Sequence, residues 1–227
     1  MRKKCTGLGY DPYDGIRLWS ALTHGLGAFL SVAATVWLIV KTALSGGDAW
    51  KIVSFAVYGS SMFCLYLAST LYHSVKAPVR GRVALKKYDH ISIFLLIAGT
   101  YTPVCLVVLR DTVGWWLFGI IWALAALGLV MKLLWVGCPR WVSSVIYIGM
   151  GWTAAAVLYP LLKAVGLGGV LLLVAGGVVY TVGGVLYALK WPGKDNPRFG
   201  DHEVFHVIIL LGSAVMYLVM RFVVLPY

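Results

Sequence analysis

The chain has 227 residues, 61% of them hydrophobic and only 12% charged. A soluble domain carries about 25% charge, so a water-solvated globule is excluded, and the apolar runs leave no room for a separate soluble domain. The formal net charge of +11 does not indicate a nucleic-acid partner, because the basic residues are scattered among connections rather than gathered on one face.

From the N-terminus, Arg2, Lys3 and Lys4 are followed by a polar, turn-rich stretch, Gly7 to Asp14. A cleaved signal would carry its apolar region there, so none is expected. A membrane span needs about 20 apolar residues. Such runs are read at Leu18–Val40, Val53–Ser74, Ile91–Leu109, Val113–Leu134, Val142–Leu162, Val170–Leu189 and Val204–Val224. Polar or turn-forming segments separate them: Ser45 to Asp48, the basic Lys76–Lys87 segment, Arg110-Asp111, Gly137 to Arg140, Gly166–Gly169 and Trp191–Asp201. Pro103 falls inside the third run and is expected to kink it, its lost hydrogen bond being tolerated within a bundle. The glycine-rich runs around Gly151 and Gly177 suit helices that approach others closely through small residues such as Gly177 and Thr181. No solenoid-like repeat is visible. The expected fold is all-α: one polytopic domain over residues 1–227, a bundle of seven transmembrane helices in a cell membrane, the inner membrane for a bacterium.

Orientation follows from the side on which Lys and Arg fall. Of the nineteen, only Lys41, Lys51, Arg110, Lys163 and Arg221 fall on one side, and fourteen on the other. The N-terminus is therefore expected to be cytoplasmic and the C-terminus outside, the reverse of a G-protein-coupled receptor. An odd number of spans carries this bias through the last helix. The four cysteines, Cys5, Cys64, Cys105 and Cys138, form no C-x-x-C pair and read as small packing residues rather than disulfides or thiolate ligands. Trp50, Trp115, Trp116 and Trp141 lie near run ends and read as interfacial anchors.

Ionisable residues inside a membrane are costly and mark functional candidates. Here they gather at one end. Ser69 and His73, four apart, share a face of the second helix. Asp89 and His90 open the third, and His202 and His206 are four apart at the start of the seventh. His24 lies near the cytoplasmic end of the first. A topology counted from Lys and Arg alone thus brings all five histidines into one leaflet. Two imidazoles at i and i+4 can grip one zinc ion, whose bonds to nitrogen are about 2.0–2.1 Å, and a catalytic zinc takes three protein ligands and keeps one open position.

His202-Glu203-Val204-Phe205-His206 also matches H-E-x-x-H, the zinc-protease helix in which Glu is the general base. Soluble proteases of that kind usually take a third ligand downstream, and nothing after His206 is His, Asp, Glu or Cys. His73 is the first upstream candidate, with His24 and Asp89 behind it. Glu203 reads either as a base or as a first-turn acid stabilised by the helix dipole, and Asp201 as an N-cap. His90 points away from Asp89 and reads as packing or as support to the site. His24 reads as either support or a satisfied core histidine.

Ser69-Thr70-Leu71-Tyr72-His73, Asp89-His90 and His202-Glu203-Val204-Phe205-His206 fall in order on the second, third and seventh helices. Together they resemble the hemolysin III family, the bacterial branch of the progestin and adipoQ receptor superfamily. Ile97 to Pro103 is similar to the family's third helix, and Thr23-His24-Gly25 to its first. The chain departs from the family in one place: bacterial members often carry an acidic pair and an Asn just before the Thr-His, where this chain has Ile16, Arg17 and Ser20. The resemblance implies a zinc ion held by His73, His202 and His206, with Asp89 holding or deprotonating the water on the metal and Ser69 beside it. Alkaline ceramidases resemble these receptors at the site, which implies hydrolysis of a lipid amide or ester, with a membrane lipid as substrate. Two alternatives stand beside this expectation. One is a non-enzymatic protein of membrane homeostasis or cytolysis with structural zinc; the other is an intramembrane metalloprotease using Glu203.

Overall fold

The computed structural model describes residues 16–193 and 199–227. The basic start of the chain, Cys5, the Gly7–Asp14 stretch and residues 194–198 lie outside them. Among the described residues, regular structure is helical throughout: α1 (Leu18–Leu44), α2 (Ala49–Ser74), α3 (Val79–Pro103), α4 (Gly114–Leu134), α5 (Arg140–Gly151), α6 (Leu158–Leu189) and α7 (Asp201–Val219). Six helical stretches among the described residues are long and apolar enough to cross a membrane. Large apolar side chains such as Phe29, Leu127, Leu134 and Leu171 are exposed on their outer faces, as lipid-facing surface requires.

The fifth stretch, Arg140–Leu189, is 50 residues long. Straight, it would reach about 75 Å, more than twice the roughly 30 Å hydrocarbon core. It does not run straight. Gly166 has φ 66° and ψ 178°, backbone open in practice only to glycine, and the chain folds back there. Across the resulting hairpin the Trp152 indole N–H donates to Thr181 Oγ1 at 2.9 Å, and Ile148 packs against Gly184. The expected Gly166–Gly169 turn is thus one residue wide, with helix resuming immediately after it.

Two further expectations shift. The basic Lys76–Lys87 segment is helical from Val79 onward, lengthening α3 to 25 residues. Arg82 is the reason: its side chain is fully buried, donating to the carbonyls of Tyr72 at 2.5 Å and Val75 at 2.9 Å. It thereby caps the end of α2 that carries His73. Pro103 ends α3, and Val104–Val108 continue as a π-helical turn, the wider geometry adopted where a proline has removed an N–H.

α3 is the central helix, with 67% of its most apolar window buried against 11% for the α5–α6 stretch. Helices adjacent in sequence pack together except α4 and α5, which barely touch, and α1 also contacts α7, bringing the first and last described helices side by side. The closest approaches occur at glycines, as helix packing in lipid favours. A Cβ on Gly27 would fall 2.7 Å from the Tyr66 ring, one on Gly99 2.0 Å from Ser61 Oγ, and one on Gly128 2.2 Å from the Phe94 ring. Gly177 and Gly151, the expected contact points, are not tight. Gly177 meets only Trp152 at 3.9 Å and Gly151 meets nothing, while neighbouring Gly176 takes the contact with Met216.

Gly59 offers the sharpest test of this packing, because a Cβ there would lie 2.5 Å from Thr35 Cβ as well as 1.9 Å from its hydroxyl. No rotamer of Thr35 relieves the first contact. Gly59→Ala is expected to cost about 1–3 kcal/mol, the range for overpacking, and to lower the melting temperature of detergent-purified protein. Gly119→Ala, with nothing within 4 Å, should instead leave it unchanged or slightly raised.

Candidate metal centre

His73 lies in the last turn of α2, and His202 and His206 lie on the first turns of α7. Their ring nitrogens converge. His202 Nε2 is 3.1 Å from His73 Nε2 and 3.1 Å from His206 Nε2, and one ligand atom from each histidine lies within 4.8 Å of the others. Ligand nitrogens around a tetrahedral zinc with 2.0–2.1 Å bonds would stand about 3.3 Å apart, so the three imidazoles fit such an ion. His206 is also oriented from behind. Its Nδ1 lies 3.3 Å from the Ser20 carbonyl, which can only accept, so the ring proton sits on Nδ1 and the Nε2 lone pair faces the cluster.

Ser69 and Asp89 are buried and line one cavity together with His202 and His206. The Ser69 hydroxyl is close to the Asp89 carboxylate but lacks hydrogen-bond geometry. Asp89 is outside the set of candidate ligands. The rest of the cavity wall is mainly apolar and aromatic, including Ile93, Leu96, Ile97 and Phe205.

His24 stacks on His206, ring centroids 3.7 Å apart and planes at 15°, and meets Tyr66 edge-on at 5.0 Å. Neither of its ring nitrogens has a hydrogen-bond partner among the described residues. It is therefore not a core histidine satisfied by hydrogen bonds, but a flat support for the His206 ring. His90 lies outside the cluster, in the cavity wall, and its carbonyl accepts from the Tyr147 hydroxyl at 3.2 Å.

Glu203 is held by three donors: Arg17 at 3.1 Å, Ser20 Oγ at 3.2 Å and the Gly200 N–H at 2.9 Å. The last is a helix cap, and the carboxylate also sits where the α7 dipole favours it, an arrangement that suits the first-turn dipole reading of Glu203. The N-cap is Gly200, and Asp201 opens the helix one residue later, where it pairs with Arg140. Arg140 in turn lies over the Tyr187 ring at 4.7 Å. The Arg17 N–H donates to the His73 carbonyl at 3.0 Å. Three arginines thus fasten the helix ends around the histidines.

Sequence reasoning placed Arg17, Arg82 and Arg140 among the charges that set topology and missed this second role. The one available signal was Arg17 and Ser20 standing where an acidic pair and an Asn are usual. Cys64 and Cys105 are free and pack in helices, as expected. At the opposite end of the bundle Trp50 and Trp115 meet edge-to-face at 5.5 Å beside the Arg110–Asp48 ion pair.

Comparison with known proteins agrees with this architecture. The family described as Haemolysin-III related matches residues 17–217. Hemolysin-3 of Bacillus cereus is 42% identical over 207 residues, 91% of each chain. The Hemolysin-3 homolog of Bacillus subtilis (strain 168) is 40% identical over 203 residues, 89% of this chain and 92% of that one. The human monocyte to macrophage differentiation factor is 27% identical over 198 residues, 84% of this chain and 78% of its own. With its apolar helices and a match that runs from the start of α1 into α7, this multi-pass membrane protein belongs to the haemolysin III family.

Proposed function

We propose that the protein is a zinc-dependent membrane hydrolase that cleaves an amide or ester bond of an acyl-chain lipid. The observation that carries this reading is the mutual 3.1 Å approach of imidazole nitrogens from α2 and α7 beside a cavity with mostly apolar walls and a buried carboxylate. In the membrane the hairpin at Gly166 makes two crossings, seven in all, with the N-terminus and the histidines at the cytoplasmic face and the C-terminus outside. The weight of Lys and Arg at the histidine end supports this orientation.

His73, His202 and His206 would hold the ion through Nε2. When bound, zinc lowers the pKa of water to about 7 and polarises a carbonyl oxygen. Asp89 accepts the proton lost by the attacking water and returns it to the leaving nitrogen or oxygen. Ser69, in the same cavity wall, would lie beside the metal. Ile93, Leu96 and Ile97 take the acyl chain and exclude bulk water.

A second reading is favoured by one feature, the joining of α2 to α7 by the histidines. The ion would then act as a staple in a non-enzymatic protein, cytolytic as the relatives' name hemolysin suggests.

Metal analysis of the purified protein should find about one zinc per chain, lost in His73→Ala and in His202→Ala; undiminished zinc in both variants would remove the site. Asp89→Asn separates the two readings. As a hydrolase the protein keeps its zinc and melting temperature in this variant but loses about 10²–10⁴-fold in turnover of a cleaved ceramide or phospholipid. The staple reading expects no loss of function in Asp89→Asn and a large fall in melting temperature when zinc is chelated. Glu203→Gln should retain zinc and most activity while losing stability through the weakened Arg17 contact. If that substitution alone abolished activity in a stable, zinc-loaded protein, the proteolytic H-E-x-x-H reading would replace ours.

A further inference from the structure

The cavity beside the histidines has a second polar patch that the proposed chemistry does not use. Lys132, in the last turn of α4, is 1% exposed. Its ammonium donates to Ser143 Oγ at 2.6 Å and to Cys138 Sγ at 3.0 Å. Among the described residues no carboxylate pairs with it; the ion pairs formed there involve Arg17, Arg110 and Arg140. An ammonium has three N–H donors, so one remains beyond those two bonds. A buried cation without a full counter-charge is costly.

Lys132 and Ser143 line the same cavity as Asp89, Ser69, His202 and His206. His90 lines it too, and its Nδ1 is buried without a partner among the described residues. The two patches lie on adjoining helix segments: the Lys87 ammonium donates to the Leu133 carbonyl at 2.6 Å, tying the part of α3 that leads to Asp89 and His90 to the end of α4 that carries Lys132. The wall has the form of an interfacial lipid site, with polar groups at one membrane face and apolar side chains deeper.

We propose that Lys132, with Ser143 and His90, binds the phosphate of a glycerophospholipid whose acyl chain occupies the cavity, so that the lipid taken by this site carries a phosphodiester headgroup rather than an uncharged one. The proposal rests on reading the cavity as an acyl-lipid site, but not on hydrolysis. In a glycerophospholipid the phosphate and the acyl ester carbonyls are separated by a few bonds and share the interfacial depth. A phosphate at Lys132 therefore leaves an ester carbonyl at the level of the histidines. A ceramide or a diacylglycerol offers the ammonium nothing with which to neutralise it. Cys138 supplies the sulfur that now accepts from the ammonium. Burial pushes its thiol up, but the hydrogen bonds with Lys132 and Ser143, together with the nearby positive charge, leave it below its ordinary value. A soft, weakly accepting sulfur is a poor substitute for phosphate oxygens, which make stronger charge-assisted bonds.

The test is lipid binding to the zinc-loaded, detergent-purified protein, read by native mass spectrometry and by melting temperature. Phosphatidylglycerol, diacylglycerol with the same two acyl chains, and inorganic phosphate serve as probes. Phosphatidylglycerol should bind wild type at least about tenfold more tightly than diacylglycerol. Lys132→Met should erase that difference while Lys132→Arg preserves most of it, and inorganic phosphate alone should give little stabilisation. Methionine matches the apolar surroundings and leaves no buried charge, and Ser143→Ala, with a smaller loss of preference, is a second variant should Lys132→Met not fold. Equal affinity for the two lipids, or an undiminished preference in Lys132→Met or Ser143→Ala, would overturn the proposal; phosphate protecting as well as the lipid would reassign the patch to a free anion. Zinc content and hydrolysis are read separately. A protein that holds zinc and cleaves a neutral lipid without this preference refutes the headgroup site alone, and one that shows the preference but holds no zinc refutes the metal centre alone.

Discussion

Three imidazole nitrogens facing one another cannot all be proton donors, and if none is, their lone pairs point together inside a low-dielectric interior. His206 cannot escape this by tautomerism, since its Nδ1 proton is committed to the Ser20 carbonyl. A cation shared among the three removes the repulsion and satisfies every nitrogen at once. The rest of the architecture serves that meeting. α1 lies between the helices that carry the histidines, contacting both α2 and α7, and supplies the Ser20 carbonyl and the His24 ring that stacks on His206.

The arginines at this end show how a membrane protein holds such a site at its boundary with water. Arg82 caps α2 just beyond His73, Arg17 ties Glu203 at the start of α7 to the start of α1, and Arg140 ties Asp201 to the start of α5. Each contact joins a helix end to a neighbour: Arg82 answers the unpaired carbonyls that close α2, whereas at the start of α7 the macrodipole favours the acids Glu203 and Asp201, which Arg17 and Arg140 then pair across to other helices. A guanidinium suits the task because it offers several donors in a fixed plane and can also stack on a ring, as Arg82 does on Tyr72 and Arg140 on Tyr187. Charge that biases topology and charge that positions the site are therefore, in part, the same charge.

Much of this could be read from the chain. The apolar runs located most helices to within a few residues; the exceptions are the basic connection that Arg82 turns into the first turns of α3 and the fifth run, where α5 stops at Gly151 and a 3-10 turn over Trp152–Val157 precedes α6. The i, i+4 spacing of His202 and His206, with His73 at the same depth, was enough to anticipate the cluster, because helix periodicity and leaflet are local properties. Long-range pairing was not legible. Neither period nor composition distinguishes Gly59, against which Thr35 packs, from Gly151, which faces open space. Nor does any pattern say that Glu203 would be held by Arg17, 186 residues away. The Lys132–Cys138–Ser143 contact was hidden for another reason: a lysine at the end of an apolar run reads as a topological charge, and only packing reveals that its ammonium is buried.

The number of candidate ligands bears on what an ion here can do. Structural zinc sites close their tetrahedron with four protein ligands, whereas catalytic ones leave a position open. Three ligand atoms converge among the described residues, and the obvious fourth, Glu203, is engaged by Arg17, Ser20 and the Gly200 N–H. Asp89 remains in the cavity wall beside the histidines rather than among the ligands. A buried carboxylate left off the ligand set, at the mouth of an apolar space, is an expensive way to build a staple. In the proposed hydrolase that carboxylate has a task, as proton acceptor within the cavity that His202 and His206 also line.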